Sequence, residues 1–170
     1  MRKVSWIVFG FALVVGMTTM AFAQKAPDVQ AHPNCPYCGM DREQFAYSRF
    51  LIEYDDGSSL PACSIHCAAI DLAKNMDKTP KSMQVGDYVT KQLINAETAI
   101  WVLGGNKPRV MTKRAKWAFA NKESAESYIK ENGGEICDLD RAMQATFEDM
   151  YADTKMIREK RKAKHMKHGS

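Results

Sequence analysis

Two short clusters hold four of the five cysteines of this chain. They are Cys35-Pro36-Tyr37-Cys38-Gly39-Met40, with His32 just ahead, and Cys63-Ser64-Ile65-His66-Cys67; a fifth cysteine, Cys137, stands alone. Thiolate and thioether sulfur together select Cu(I) over harder divalent ions. Cys38-Gly39-Met40 places one of each two positions apart, around a glycine that lets the backbone turn both toward one ion. Structural zinc is equally compatible with the spacing, because C-x2-C followed by C-x3-C or a Cys/His mixture supplies four ligands. Zinc, however, has no use for the thioether of Met40.

Thiol–disulfide exchange is a third chemistry, since Cys35-Pro36-Tyr37-Cys38 is the active-site sequence used by glutaredoxins. There the motif closes a strand and opens a helix that helps ionise the first thiol. Here Pro33-Asn34 precede it, Gly39 follows it and a strand begins a few residues later, which disfavours that use. In an exported protein the ordinary role of paired cysteines is disulfide formation, and an odd total of five leaves at least one thiol unpaired or paired between molecules. Ser64 suits a helix N-cap. That puts His66 and Cys67 in the first helical turn, where free backbone N–H groups favour a thiolate. The same pair has a plain alternative, with Cys67 a small buried hydrophobe and His66 a surface residue.

These clusters need a frame. The chain has 170 residues, 45% of them hydrophobic and 26% charged, so one compact domain is expected rather than a fibrous or disordered chain. Residues 1–23 read as a signal peptide: Arg2-Lys3, an apolar run from Trp6 to Val15, and Ala21-Phe22-Ala23 before Gln24, with cleavage expected after Ala23. Export to the periplasm follows, with no stable membrane anchor after cleavage. Residues 24–34 read as a linker. Phe45–Tyr54 and Ser59–Ala62 then form a hairpin about Asp55-Asp56-Gly57-Ser58, followed by a helix through Ile65, Ala68, Ala69 and Leu72. Met83–Thr90 reads as a strand crossing between halves. The order then repeats, with strands Ala99–Leu103 and Trp117–Ala120 and a helix Lys122–Glu131 that stops at Asn132-Gly133-Gly134. The fold class is therefore α+β.

The last segment, residues 139–170, reads as a helix whose Met143, Phe147, Met150, Tyr151 and Met156 pack at helical spacing. From Lys155 onward seven Lys/Arg face one Glu159, so the basic excess behind the net charge of +4 is concentrated in this tail. Residues 24–154 are mildly acidic, which argues against a nucleic-acid-binding body. The tail itself is too charged to build a core and reads as a solvated, frayed helix end, the alternative being a mobile arm that collects copper weakly or docks on an acidic client, with the charge favouring docking.

Cys38-Gly39-Met40, Asn95-Ala96-Glu97-Thr98-Ala99-Ile100-Trp101-Val102, the Gly-rich loop leading to Met111, Trp117-Ala118-Phe119-Ala120 and the helix ending Asn132-Gly133-Gly134 occur in an order that resembles the NosL family. These are exported copper accessory proteins of nitrous oxide reductase. The resemblance covers roughly Cys35 to Gly134 and places the family-like domain at residues 35–138. It implies two related β-β-α-β units, similar to the organomercurial lyase fold, plus a C-terminal helix. It also implies a Cu(I) site of Cys38, Met40 and Met111, with room for an imidazole to complete it. The chain departs from the family pattern in lacking a lipid-modified cysteine and in carrying Cys35, Cys63, His66 and Cys67 as extra candidate ligands. The expected protein is a monomeric, non-enzymatic Cu(I) metallochaperone that delivers copper to nitrous oxide reductase or another cuproenzyme. The alternatives are an exported thiol–disulfide oxidoreductase and a zinc-stabilised interaction domain.

Overall fold

The computed structural model describes residues 25–168, so the expected signal peptide lies outside the described residues. The elements run α1 (Pro27–Ala31), β1 (Phe50–Tyr54), β2 (Ser59–Ala62), α2 (Ile65–Lys74), β3 (Pro80–Gly86), β4 (Leu93–Asn95), β5 (Ile100–Leu103), β6 (Lys116–Phe119), α3 (Lys122–Asn132), β7 (Glu135–Cys137) and α4 (Leu139–His168). Burial alternates along β1, whose Phe50, Ile52 and Tyr54 face inward while Leu51 and Glu53 face outward. It turns at Asp55–Ser58, where Gly57 supplies φ +81°, and returns as β2 with Ile52 opposite Leu60.

The first sheet has the order β2-β1-β3-β4 and the second β6-β5-β7. In each, the first strand of a hairpin takes the middle, a helix follows the hairpin, and the next strand pairs antiparallel on the open side of the middle strand. The fold is therefore two β-β-α-β units, with β4 added to the first and α4 following the second. A parallel bridge between Asp87 and Ala118 stitches them together: the Tyr88 N–H donates to the Ala118 carbonyl at 2.8 Å, and the buried Asp87 carboxylate accepts the Ala120 N–H at 2.9 Å. Phe50, Ile52, Trp101, Val102, Trp117 and Phe119 fill one continuous core. No described helix is long and apolar enough to cross a membrane.

Three features differ from the sequence reading. The strand expected from Phe45 begins only at Phe50, because residues 42–48 wrap in consecutive turns. That loop presses on the end of β3 so closely that a Cβ on Gly86 would collide with the Ala46 carbonyl oxygen. The segment expected as a linker carries α1, with Val29 buried. Asp28 there receives hydrogen bonds at 2.8 Å from both Arg42 and Arg49, whose side chains are buried. Finally, Phe147 and Tyr151 of α4 are exposed, at 46% and 81%, rather than packed. The buried face of α4 consists instead of Leu139, Ala142, Ala145, Thr146 and Asp153. Small residues let the helix approach closely, and Asp149 pairs with Arg114 at 3.0 Å and with Lys116 at 2.7 Å.

Candidate metal centre

The two cysteine clusters meet at the junction of β2 and α2. Cys63 follows the end of β2, and Cys67 lies one turn on in α2, so an i, i+4 spacing sets both thiols on one side of the helix start. Opposite them the Asn34–Asp41 segment folds into a tight loop: the Cys35 N–H donates to the Met40 carbonyl at 2.9 Å and the Gly39 N–H to the Cys35 carbonyl at 2.8 Å, with Gly39 at φ +73°. Tyr37 pins this loop to α2 by donating to Asp71 at 2.6 Å, while Lys74 sits 5.0 Å from the centre of its ring. Arg42 Nε donates to the Ala62 carbonyl and Ser48 Oγ to the Cys63 carbonyl, which hold the end of β2 in place.

The result is a cluster of four thiols, Cys35, Cys38, Cys63 and Cys67, whose Sγ atoms all lie within 4.8 Å of one another. Cys38 and Cys63 are 3.3 Å apart and Cys63 and Cys67 3.9 Å, and all five cysteines are free thiols. A soft ion held by thiolates at ~2.3 Å sets its ligands about 3.8 Å apart in a tetrahedron, so this cluster has the dimensions to take one ion with little rearrangement. Cys35, Cys63 and Cys67 are buried; Cys38 is half-exposed and gives access to the group.

Charge is divided unevenly among the four. Hydrogen bonds from the thiols of Cys38, Cys63 and Cys67 hold Cys35 far below the ordinary thiol range, outweighing its burial. Cys38 is also lowered: its bond to Cys35 acts upward, but donation from Cys63 and Cys67 prevails. Cys63 and Cys67 are pushed far up, first by hydrogen bonding to Cys35, then to Cys38, and by burial, with Cys67 acting downward on Cys63 and Cys63 acting upward on Cys67. The loop thiols are thus shifted toward ionisation and the helix-side thiols away from it. The upward shift of Cys67 runs against the helix-start effect expected from the sequence, because crowding four sulfurs into one buried site disfavours their joint ionisation.

A cavity of about 140 Å³ adjoins the cluster, lined by Cys38, Cys67, His66 and Met111 together with Tyr37 and Ile157. His66 is 1% exposed, not a surface residue, and neither ring nitrogen has a hydrogen-bond partner among the described residues; Nδ1 stands 4.0 Å from the buried Asp153 carboxylate. Burial lowers its pKa more than Asp153 raises it, which leaves the neutral imidazole, the form that can ligate a metal. Met111 reaches this cavity from a left-handed backbone conformation, φ +60°, an uncommon state for a side chain of its size. Met40 is half-buried against the core and is not among the residues lining the cavity; it contributes its carbonyl to the loop.

Cys137 lies apart, half-buried on β7 opposite Trp101, with its thiol pushed up to about 11 by burial and by Asp138 and Glu135. His32 is exposed at the end of α1. The distal part of α4 is not simply a solvated end: Arg161 donates to the Cys38 carbonyl at 2.9 Å, and Ile157, Arg158 and Arg161 line the cavity. Sequence reasoning missed Tyr37, Asp71 and Arg161. Asp71 alone left a signal, as an acid on the otherwise apolar face of α2 four residues after Cys67.

The fold is similar to that in the crystal structure of the copper chaperone NosL from Shewanella denitrificans, with a TM-score of 0.54 and 20% identity over 68% of this chain and 93% of that one. No curated protein matches the chain. Residues 25–147 match the NosL family model, well over half of the chain. The protein belongs to the NosL family.

Proposed function

We propose that this protein is an exported, non-enzymatic Cu(I) carrier that receives copper in the periplasm and hands it on by ligand exchange. The observation that carries the reading is the compact four-thiol cluster opening into a cavity that also holds an unpartnered imidazole and a thioether. Soft sulfur donors hold Cu(I) tightly without requiring a change of oxidation state. Cys35, Cys38, Cys63 and Cys67 form the tight site, while His66 and Met111 line the way out. An ion leaving the thiols meets these two before it reaches solvent, so a partner's sulfur or nitrogen can enter before the last thiolate leaves. Met40 completes the Cys38-Gly39-Met40 element implied by the family resemblance, and its role in the site is part of the proposal. The copper chaperone name of the Shewanella neighbour supports the cargo, and family membership supports nitrous oxide reductase as the recipient.

A second reading is favoured by one specific observation: four thiols at near-tetrahedral spacing are also a structural zinc site. Metal analysis of protein purified anaerobically, followed by Cu(I) competition against a chromophoric chelator, separates the two. The copper reading expects one Cu(I) retained at high affinity and a protein that stays folded when stripped. Zinc at one equivalent, with unfolding on chelation, replaces it with the interaction-domain reading. Disulfide exchange activity without metal, running through Cys35 and Cys38, replaces it with the oxidoreductase reading.

A further inference from the structure

α4 changes character at Asp153. Up to that residue the helix is clamped: the Lys113 N–H donates to the buried Asp153 carboxylate at 2.9 Å, Asp149 binds Lys116 and Arg114, and Ala142, Ala145 and Thr146 are buried. Past it, Lys155, Arg158, Lys160, Arg161 and Lys162 are all exposed, against the single acid Glu159. The family match ends at residue 147, so this basic stretch lies beyond what the family model covers.

The stretch has two sides. Thr154, Ile157, Arg158 and Arg161 fall at i, i+3, i+4 and i+7, one face of the helix, and all four line the sulfur cavity. Beside that face Lys155, Arg158 and Lys162 form a row of positive charge spanning about 10 Å at 1.5 Å per residue. Arg161 tethers the helix to the cysteine loop through an exposed hydrogen bond to a neutral acceptor, the Cys38 carbonyl. Carboxylates add ionic attraction to a guanidinium that a neutral carbonyl lacks, and often bind it through two parallel bonds. An acidic surface seated on the row therefore competes directly for the group that holds the helix against the site.

The geometry points to residues 154–162 of α4 as the docking surface for an acidic protein partner, whose carboxylates capture Arg161 and draw the helix away from Cys38, uncovering the sulfur cavity. The acidic partner is the protein that takes the copper, so this inference rests on the copper reading for its purpose but not for its geometry. Access is thereby coupled to recognition: the ion is shielded until a surface of the right charge arrives, and the same charges speed the encounter at low salt.

Poly-L-glutamate serves as the acidic probe and neutral iodoacetamide reads access to Cys38 in the metal-free full chain. Poly-L-glutamate is expected to raise Cys38 alkylation roughly fivefold at low salt, and the gain is expected to vanish near 1 M salt, where screening shortens to ~3 Å. Arg161→Gln should show the faster alkylation without the probe. The triple variant Lys155→Glu/Lys160→Glu/Lys162→Glu should lose the response while keeping its Cu(I) affinity. Binding of the probe with unchanged alkylation overturns the coupling. Failure to bind at low salt, or equal binding by the triple variant, overturns the docking surface. A parallel arm follows Cu(I) release to uncharged neocuproine: if copper is not retained at all, the copper reading fails there while the alkylation arm still decides the docking surface.

Discussion

The two β-β-α-β units put the same junction to opposite uses. In the second unit the chain passes from β6 into α3 through exposed residues, and the Asn121 side chain accepts the Ser124 N–H at 2.9 Å, an ordinary helix cap. In the first unit every residue from Leu60 to Ala69 is buried. Ser64, although it holds the N-cap position in an extended conformation, makes no capping bond with its side chain. The space that a polar, solvated cap would occupy is taken by Cys63, His66 and Cys67. The interiors differ in the same sense. The second unit packs Tyr88, Trp117, Phe119 and Tyr128 ring against ring, beside a cavity of about 370 Å³ that no cysteine or histidine lines. The first buries Arg42, Arg49, His66 and Asp71. A duplicated frame lets one copy bear the cost of buried polar and ionisable groups while the other supplies ordinary packing.

The largest effect is expected at the buried charges of the first unit. Asp28→Ala strands Arg42 and Arg49 without their carboxylate and should cost ~3–5 kcal/mol in denaturant unfolding. Burial alone would raise the Asp28 pKa, but Arg49 and Arg42 hold it below the ordinary aspartate range. The contribution is therefore complete above about pH 4 and is lost as pH falls through the folded-state value, so the stability gap between wild type and variant should narrow only in acid. A gap unchanged down to pH 2 would show that Asp28 acts through α1 packing and not through its charge.

Next comes the sulfur cluster. Cys38→Ser and Cys67→Ser should each weaken Cu(I) binding by about 100-fold, since losing even outer-shell partners of a metal costs ~10–100-fold. Met111→Leu should cost about 10-fold, on the same scale. Chelator titration of the variants reads all three. If Cys67→Ser binds as the wild type does while Met40→Leu loses affinity, the site contracts to Cys38, Met40 and Met111 and the first junction is buried for reasons other than copper.

The smallest effects test the junctions themselves. Asn121→Ala should destabilise the protein by ~1 kcal/mol, the usual cost of losing a cap. Ser64→Ala should stay within about 0.5 kcal/mol, because its side chain caps nothing. Thermal unfolding of the pair is enough; equal losses would erase the contrast between the two junctions.

Much of this architecture was legible in the chain. The Phe45–Tyr54 and Ser59–Ala62 segments about the Asp55–Ser58 turn, and the Asn132-Gly133-Gly134 stop, marked the repeated hairpin-plus-helix order in the sequence itself. The spacing of Cys35, Cys38, Cys63 and Cys67 marked the candidate ligands. These are local signals, set by backbone sterics, side-chain periodicity and nearest-neighbour hydrogen bonds, and a sequence carries them in full. The buried face of α4 was misread, because Phe147 and Tyr151 outweigh Ala142 and Ala145 in apolar content even though the small residues are the ones that let the helix approach the body.

The clustering itself was a tertiary decision. Twenty-five residues separate Cys38 from Cys63, and only the packing of the cysteine loop on α2, fixed by Tyr37 and Asp71, brings their sulfurs to 3.3 Å. The pairing of Asp28 with Arg49 closes a loop of similar length, and that of Arg161 with the Cys38 carbonyl a far longer one. The chain by itself determined which elements form and which atoms are able to bind a soft metal. Which of those atoms share one site, in which direction each thiol is shifted and which helix stands over the opening depended on desolvation and long-range closure, because burial and neighbouring charge exist for a side chain only once distant segments have packed around it.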